Sequence, residues 1–167
     1  MLYALLFSVA CHMERTVQIA IHQMESAGKV QAQSAYKGRT VQGWKYQLRH
    51  KSDRRIDEAK RELVEGKGDA LPVLIELLKD DDMYFRSCAI ECLAKMGKDA
   101  SPAKPSLVRA LNDLYDLNAV RAAEALAAIG CEARDAIGPI TELERRIKPD
   151  DLRERVTRAR HSLEKEK

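Results

Sequence analysis

Aromatic side chains are scarce in this sequence: one Trp, two Phe and five Tyr, 5% of 167 residues. Alternating, β-branched runs are missing too, so nothing supplies the half-buried strands of a β-sandwich. The first ten residues, MLYALLFSVA, are almost wholly apolar, but that run is about half of the ~20 residues that a membrane-spanning helix needs. The four cysteines, Cys11, Cys88, Cys92 and Cys131, form no C-x-x-C, and His12, His22, His50 and His161 are scattered. Spaced zinc ligands are therefore lacking. Cys88 and Cys92 are four residues apart on one helix, where a disulfide is geometrically poor. They read as small side chains in or beside a core, and unpaired thiols favour a reducing compartment.

Catalytic signatures are missing as well. No glycine-rich phosphate loop follows a strand and no H-E-x-x-H occurs. Ser87, Ser101 and Ser106 stand where helix caps or surface positions explain them. The sequence offers no catalytic residue, no metal ligand set and no cofactor site, so the expectation is a protein that is not an enzyme. Charge is nearly balanced, 29 basic against 26 acidic residues, and a net charge of +3 is too small to point to nucleic acid.

What the sequence does have is Ala, Leu and charge at helical spacing. In Arg86 to Gly97, RSCAIECLAKMG, Ala89 and Leu93 lie one above the other on a helix face. Phe85, Cys92 and Met96 extend that face. Gly97 closes it as a residue that must enter the left-handed region. The same Ala–Leu skeleton recurs as Ala59 and Leu63, Ala122 and Leu126, and Ala159 and Leu163, at intervals of 30, 33 and 37 residues by subtraction. Pro72, Pro105 and Pro139, 33 and 34 apart, each open an apolar stretch, and Gly97 and Gly130 are 33 apart. Three registers with nearly one period indicate a solenoid, because one helix pair cannot bury its own apolar faces and needs neighbours.

Asp82, Arg86, Ala89, Leu93, Met96 and Gly97 together fit D-x-x-x-R-x-x-A-x-x-x-L-x-x-I-G, with Met96 for isoleucine. This run resembles the HEAT repeat family, specifically the short bacterial type also seen in phycobilisome-lyase-like repeats, and the resemblance extends over roughly Thr40 to Leu163. It implies an all-α, α-α superhelix: a HEAT-like (armadillo-like) solenoid of four helical hairpins. In that family the Asp and Arg pair between adjacent repeats. Here the equivalent arginine slots hold Ile56, Ala119 and Val156, so the sequence does not carry a continuous Asp–Arg ladder.

The chain divides into an N-terminal segment, 1–27, a linker, 28–39, and a repeat domain, 40–167. Two readings of the N-terminal segment stay open. Leu6, Val9, Met13, Val17, Ala20, Met24 and Ala27 make one stripe of an amphipathic helix. Residues 1–11 alternatively resemble an export or lipoprotein signal, with SVAC ending at Cys11. Only the second reading brings in a membrane or the cell envelope. Residues 28–39 are polar and small, as in a linker. Thr40 is placed to cap the first helix, with Val41, Trp44 and Leu48 on one face. The expected helices are then Arg54–Glu65, Ala70–Leu78, Tyr84–Met96, Lys104–Leu114, Asn118–Ile129, Ala136–Ile147 and Asp150–Lys165. The heavily charged last helix suits a solenoid cap.

The resemblance also implies that second helices line the concave side. Their outward positions nominate a partner-binding set: Arg54, Asp57 and Arg61; Ser87 and Glu91; Arg121 and Glu124; and Arg158. Tyr84 joins it as an aromatic anchor. The expected function is a protein–protein interaction scaffold. A structural homo-oligomer joined through residues 2–27 is the alternative. A nucleic-acid-binding relative would need a continuous basic stripe, and the acidic turn Asp80 to Asp82 interrupts it.

Overall fold

The computed structural model describes residues 35–165. The N-terminal helix or export signal, the first part of the linker and Lys167 lie outside the described residues. Within them the fold is all-α apart from one small hairpin. β1 (Ala35–Tyr36) pairs antiparallel with β2 (Arg39–Thr40). Its turn residues, Lys37 and Gly38, both have positive φ, 49° and 69°, the backbone that a two-residue hairpin turn of type I′ requires. The last residues of the stretch read as a linker therefore have structure of their own.

Four helix pairs follow: α1 (Val41–Leu48) with α2 (Asp53–Glu65), α3 (Lys67–Leu77) with α4 (Met83–Met96), α5 (Lys104–Ala110) with α6 (Asp116–Ile129), and α7 (Ile137–Arg146) with α8 (Asp150–Lys165). The pairing is the expected one. The largest differences are that α3 starts at Lys67 instead of Ala70 and α5 ends at Ala110 instead of Leu114. Each first helix packs on its second helix, and the second helices form a row in which α2 meets α4, α4 meets α6 and α6 meets α8. All eight residues of the Ala–Leu skeleton, from Ala59 to Leu163, are buried. Alanine on one turn and leucine on the next lets neighbouring helices approach closely while the leucine fills the gap.

The glycine and proline ladders act differently from one repeat to the next. Gly97 (φ 56°, ψ −125°) and Gly130 (φ 82°, ψ −143°) end α4 and α6. Their ψ lies beyond the left-handed helical well, in the mirror image of extended backbone, which is glycine territory. From Gly66 to Pro72, Gly97 to Pro105 and Gly130 to Pro139 the chain runs six, eight and nine residues by subtraction. The two longer connections fold as short 3-10 helices, Gly97–Ala103 and Gly130–Ala136. Pro105 and Pro139 then fall in the first turn of α5 and α7, as expected. Pro72 instead lies inside α3, because the helix has already begun at Lys67.

A helix leaves its last carbonyls without intrahelical partners. Here long side chains supply donors. Tyr84 donates its hydroxyl to the Leu48 carbonyl at 2.7 Å. Arg86 donates to the Asp80 and Asp81 carbonyls at 2.7 and 2.9 Å. Arg146 donates to Leu111 at 2.7 Å, and Arg153 to Ile147 and Lys148 at 3.2 and 2.7 Å. Arg153 thus reaches back to the carbonyls six and five residues before it, as Arg86 does, from a position three residues ahead of Val156. The Asp–Arg motif does pair across repeats, with partners outside the motif. Asp82 binds Arg49 of the preceding hairpin. Arg86 forms a bidentate pair with Asp113 of the next, at 2.6 and 2.9 Å.

Candidate functional site

The Ala–Leu skeleton faces inward, and the nominated positions lie off that buried face of the second helices. Arg54, Asp57 and Arg61 of α2 are exposed, and no ion pair among the described residues holds them. Ser87 and Glu91 of α4 and Arg121 and Glu124 of α6 are half-buried. Arg158 of α8 is exposed and pairs along its own helix with Glu154 at 3.1 Å.

The four middle residues are brought together. Arg121 lies 3.6 Å from Glu91 and also donates to the Ser87 hydroxyl. On the other side, Lys60 of α2 meets Glu91 at 2.6 Å. Arg155 of α8 grips Glu124 through two bonds of 2.8 Å. Opposite charges therefore link α2 to α4, α4 to α6 and α6 to α8. Lys60 and Arg155 were not among the residues nominated from the sequence. Their signal was available: each sits 31 residues from its partner, close to one repeat, with the opposite sign of charge. Beneath this network is a groove of about 350 Å3, with Ile90 and Ala94 as its floor and Glu91, Lys95, Arg121 and Glu124 around it.

The electrostatics hold Lys60 and Arg155 in charged form. Burial alone would lower the Lys60 pKa, but the hydrogen bond to Glu91 and the neighbouring charges raise it, and the net shift is upward. The hydrogen bond to Glu124, opposed by burial, raises Arg155. Burial pushes the Cys92 thiol up to about 12 and raises the Cys88 thiol as well. Both are neutral thiols at ordinary pH, poor nucleophiles and poor ligands. Cys131 is exposed.

Tyr84 has a different place. Its hydroxyl is committed to Leu48, and its ring packs edge-on against Phe85, with centroids 5.6 Å apart. It ties the first hairpin to the second. Among the described residues, no group of three His, Cys, Asp or Glu could hold a metal ion, and no helix is long and apolar enough to cross a membrane.

The family model described as HEAT repeats matches residues 56–127, from α2 through α6. Among curated proteins, none matches the chain.

Proposed function

We propose that this chain, whose residues 56–127 match the HEAT-repeat model, is a non-catalytic scaffold that holds a protein partner on its second-helix face. HEAT repeats commonly mediate protein interaction. The observation that carries the reading is the Glu91–Arg121 groove, whose rim is fixed by Lys60 and Ser87 before any partner arrives. Side chains already held in place lose less entropy on binding. Arg54, Asp57 and Arg61 on α2 and Arg158 on α8 are exposed.

A duplex-binding role fits these charges less well. Of the cations that a phosphate backbone would need, Lys60, Arg155, Arg158 and Arg160 are each paired with a carboxylate.

The test is affinity capture of the partner from the native host, followed by binding measurements with Arg121→Ala and Glu124→Ala. Each should weaken binding about tenfold, the loss of roughly 1.4 kcal/mol, with helical circular dichroism unchanged. Full-strength binding by the double variant would remove this face from consideration. Deleting residues 1–30 separates the alternative: loss of an oligomer by mass in solution, with no other partner captured, supports assembly through the N-terminal segment.

A further inference from the structure

The large hydrophobic side chains exposed among the described residues are Tyr46, Met83, Leu114 and Tyr115. None is on the second-helix face. All four are at the ends of the hairpins where first helices turn into second helices. Tyr46 is in the last turn of α1, Met83 is the first residue of α4, and Leu114 and Tyr115 directly precede α6. Leu114 is 100% exposed. Two grooves open beside these side chains: one of about 480 Å3 bordered by Lys45, Tyr46, Arg49 and Phe85, another of about 450 Å3 bordered by Leu78, Arg86, Arg109 and Leu114.

The turns that carry these side chains are linked from hairpin to hairpin. Tyr84 and the Arg49–Asp82 pair join the first hairpin to the second. Arg86–Asp113, together with a 3.1 Å bond from the Asn118 amide to the Met83 carbonyl, joins the second to the third. Asp113 also accepts from the Tyr115 backbone amide at 2.9 Å. Leu114 is therefore held out into solvent by a turn that is itself anchored.

Charge distinguishes this edge from the second-helix face. In its ion pairs the cation is the outer partner: Arg49 is 59% exposed over Asp82 at 35%, and Arg86 17% over Asp113 at 3%. Lys45 over Asp80 and Lys79 over Glu76 follow the same order. On the second-helix face the order reverses, with Glu91 more exposed than Lys60 and Glu124 more than Arg155. Together the two grooves are lined by five cations, Lys45, Arg49, Lys79, Arg86 and Arg109, against three carboxylates, Asp81, Asp82 and Asp113.

We propose that the turn edge is a second docking surface, separate from the second-helix face, for an acidic, leucine- or phenylalanine-bearing peptide segment of a partner protein. Apolar side chains of the segment enter the two grooves beside Tyr46 and Leu114, and its carboxylates meet Arg49, Lys79 and Arg109. A second copy of the chain would bring the same outward cations against themselves. A peptide segment can set its carboxylates beside the cations and clear of Asp81 and Asp116, which are exposed on the same edge, whereas a flat lipid surface meets those two with its phosphates.

The experiment is selection of a displayed library of random peptides on the full chain, followed by binding of the enriched peptides. Enriched peptides should carry Leu or Phe among Asp and Glu and bind more weakly with added salt. They should lose affinity by about tenfold or more against Leu114→Ser/Tyr46→Ser. Both positions are exposed, so the fold tolerates this variant. Arg121→Ala should leave their affinity unchanged, which keeps this surface distinct from the second-helix face. The proposal is overturned if no peptide is enriched, if those enriched are basic, or if they ignore the Leu114/Tyr46 variant. It is equally overturned if the variant instead abolishes a dimer of the native chain or its binding to phosphatidylserine vesicles.

Discussion

At Gly97 the chain leaves α4 with φ 56° and ψ −125°, and a Cβ there would sit 3.4 Å from the Ala128 carbonyl oxygen. The backbone, more than the space, sets the requirement. Gly97→Ala should cost about 1–3 kcal/mol, read as a lower urea midpoint. Asp113 makes a different kind of demand. Burial works to raise its carboxyl pKa, but the hydrogen bonds from Arg86 and the Tyr115 amide, and the charge of Arg86, outweigh that and leave it below the ordinary value. A carboxyl lowered in the folded state stabilises it above the unfolded pKa, and that stabilisation is lost as pH falls through the folded value. Hydrogen bonds from Thr157 and Arg160 lower Glu144 against the effect of burial, with the same sign. Urea midpoints should therefore fall as pH drops from neutral to below about 4. Asp113→Asn should flatten part of that slope and cost about 2 kcal/mol at neutral pH. The glycine was legible in the sequence because its type and spacing name its job. Asp113 was not: its partner is 27 residues away, and nothing in either residue's neighbourhood announces the pairing.

The elements were more legible than the contacts between them. Periodicity marks which side of a helix faces inward, and the buried Ala59, Ala89, Ala122 and Ala159 follow it. How far one helix slides along the next decides which polar groups meet, and a single sequence carries that only faintly. Arg153 shows the difference. Counting from the Ala–Leu skeleton puts Val156 in the arginine slot, yet Arg153 closes α7 by donating to Ile147 and Lys148. The guanidinium reaches its targets from the first turn of α8, so the carbonyls define its role and the skeleton does not. Arg153→Gln should leave the end of α7 short of donors and raise amide exchange locally there, with a global cost of about 1–2 kcal/mol. The 35–40 hairpin escaped the pattern for another reason. Lys37 and Gly38 are ordinary linker residues until Tyr36 stacks on Trp44, with ring centroids 5.8 Å apart, and gives the hairpin a floor.

Across the whole molecule, stability is shared between neighbours. α6 is covered on one side by α4 and on the other by α8, so its all-buried run Ala122, Ala123, Ala125 and Leu126 depends on both. Truncation after residue 148, which removes α8, should uncover that helix and turn a single cooperative thermal transition into a broad one, followed by circular dichroism. An unchanged, sharp transition would mean that the first three hairpins suffice. On α8 the charges are paired, with Arg160 bridging Glu144 and Glu164.

The turns have one more consequence. Arg146 donates to the Leu111 carbonyl and Asp113 accepts from the Tyr115 amide, main-chain groups that do not depend on the side chains at 114 and 115, so the letters at that tip are unconstrained by the clamp beneath them. Leu114 and Tyr115 can be rewritten without re-engineering the frame, so the outward dipeptide is free to vary while the repeats beneath it stay the same.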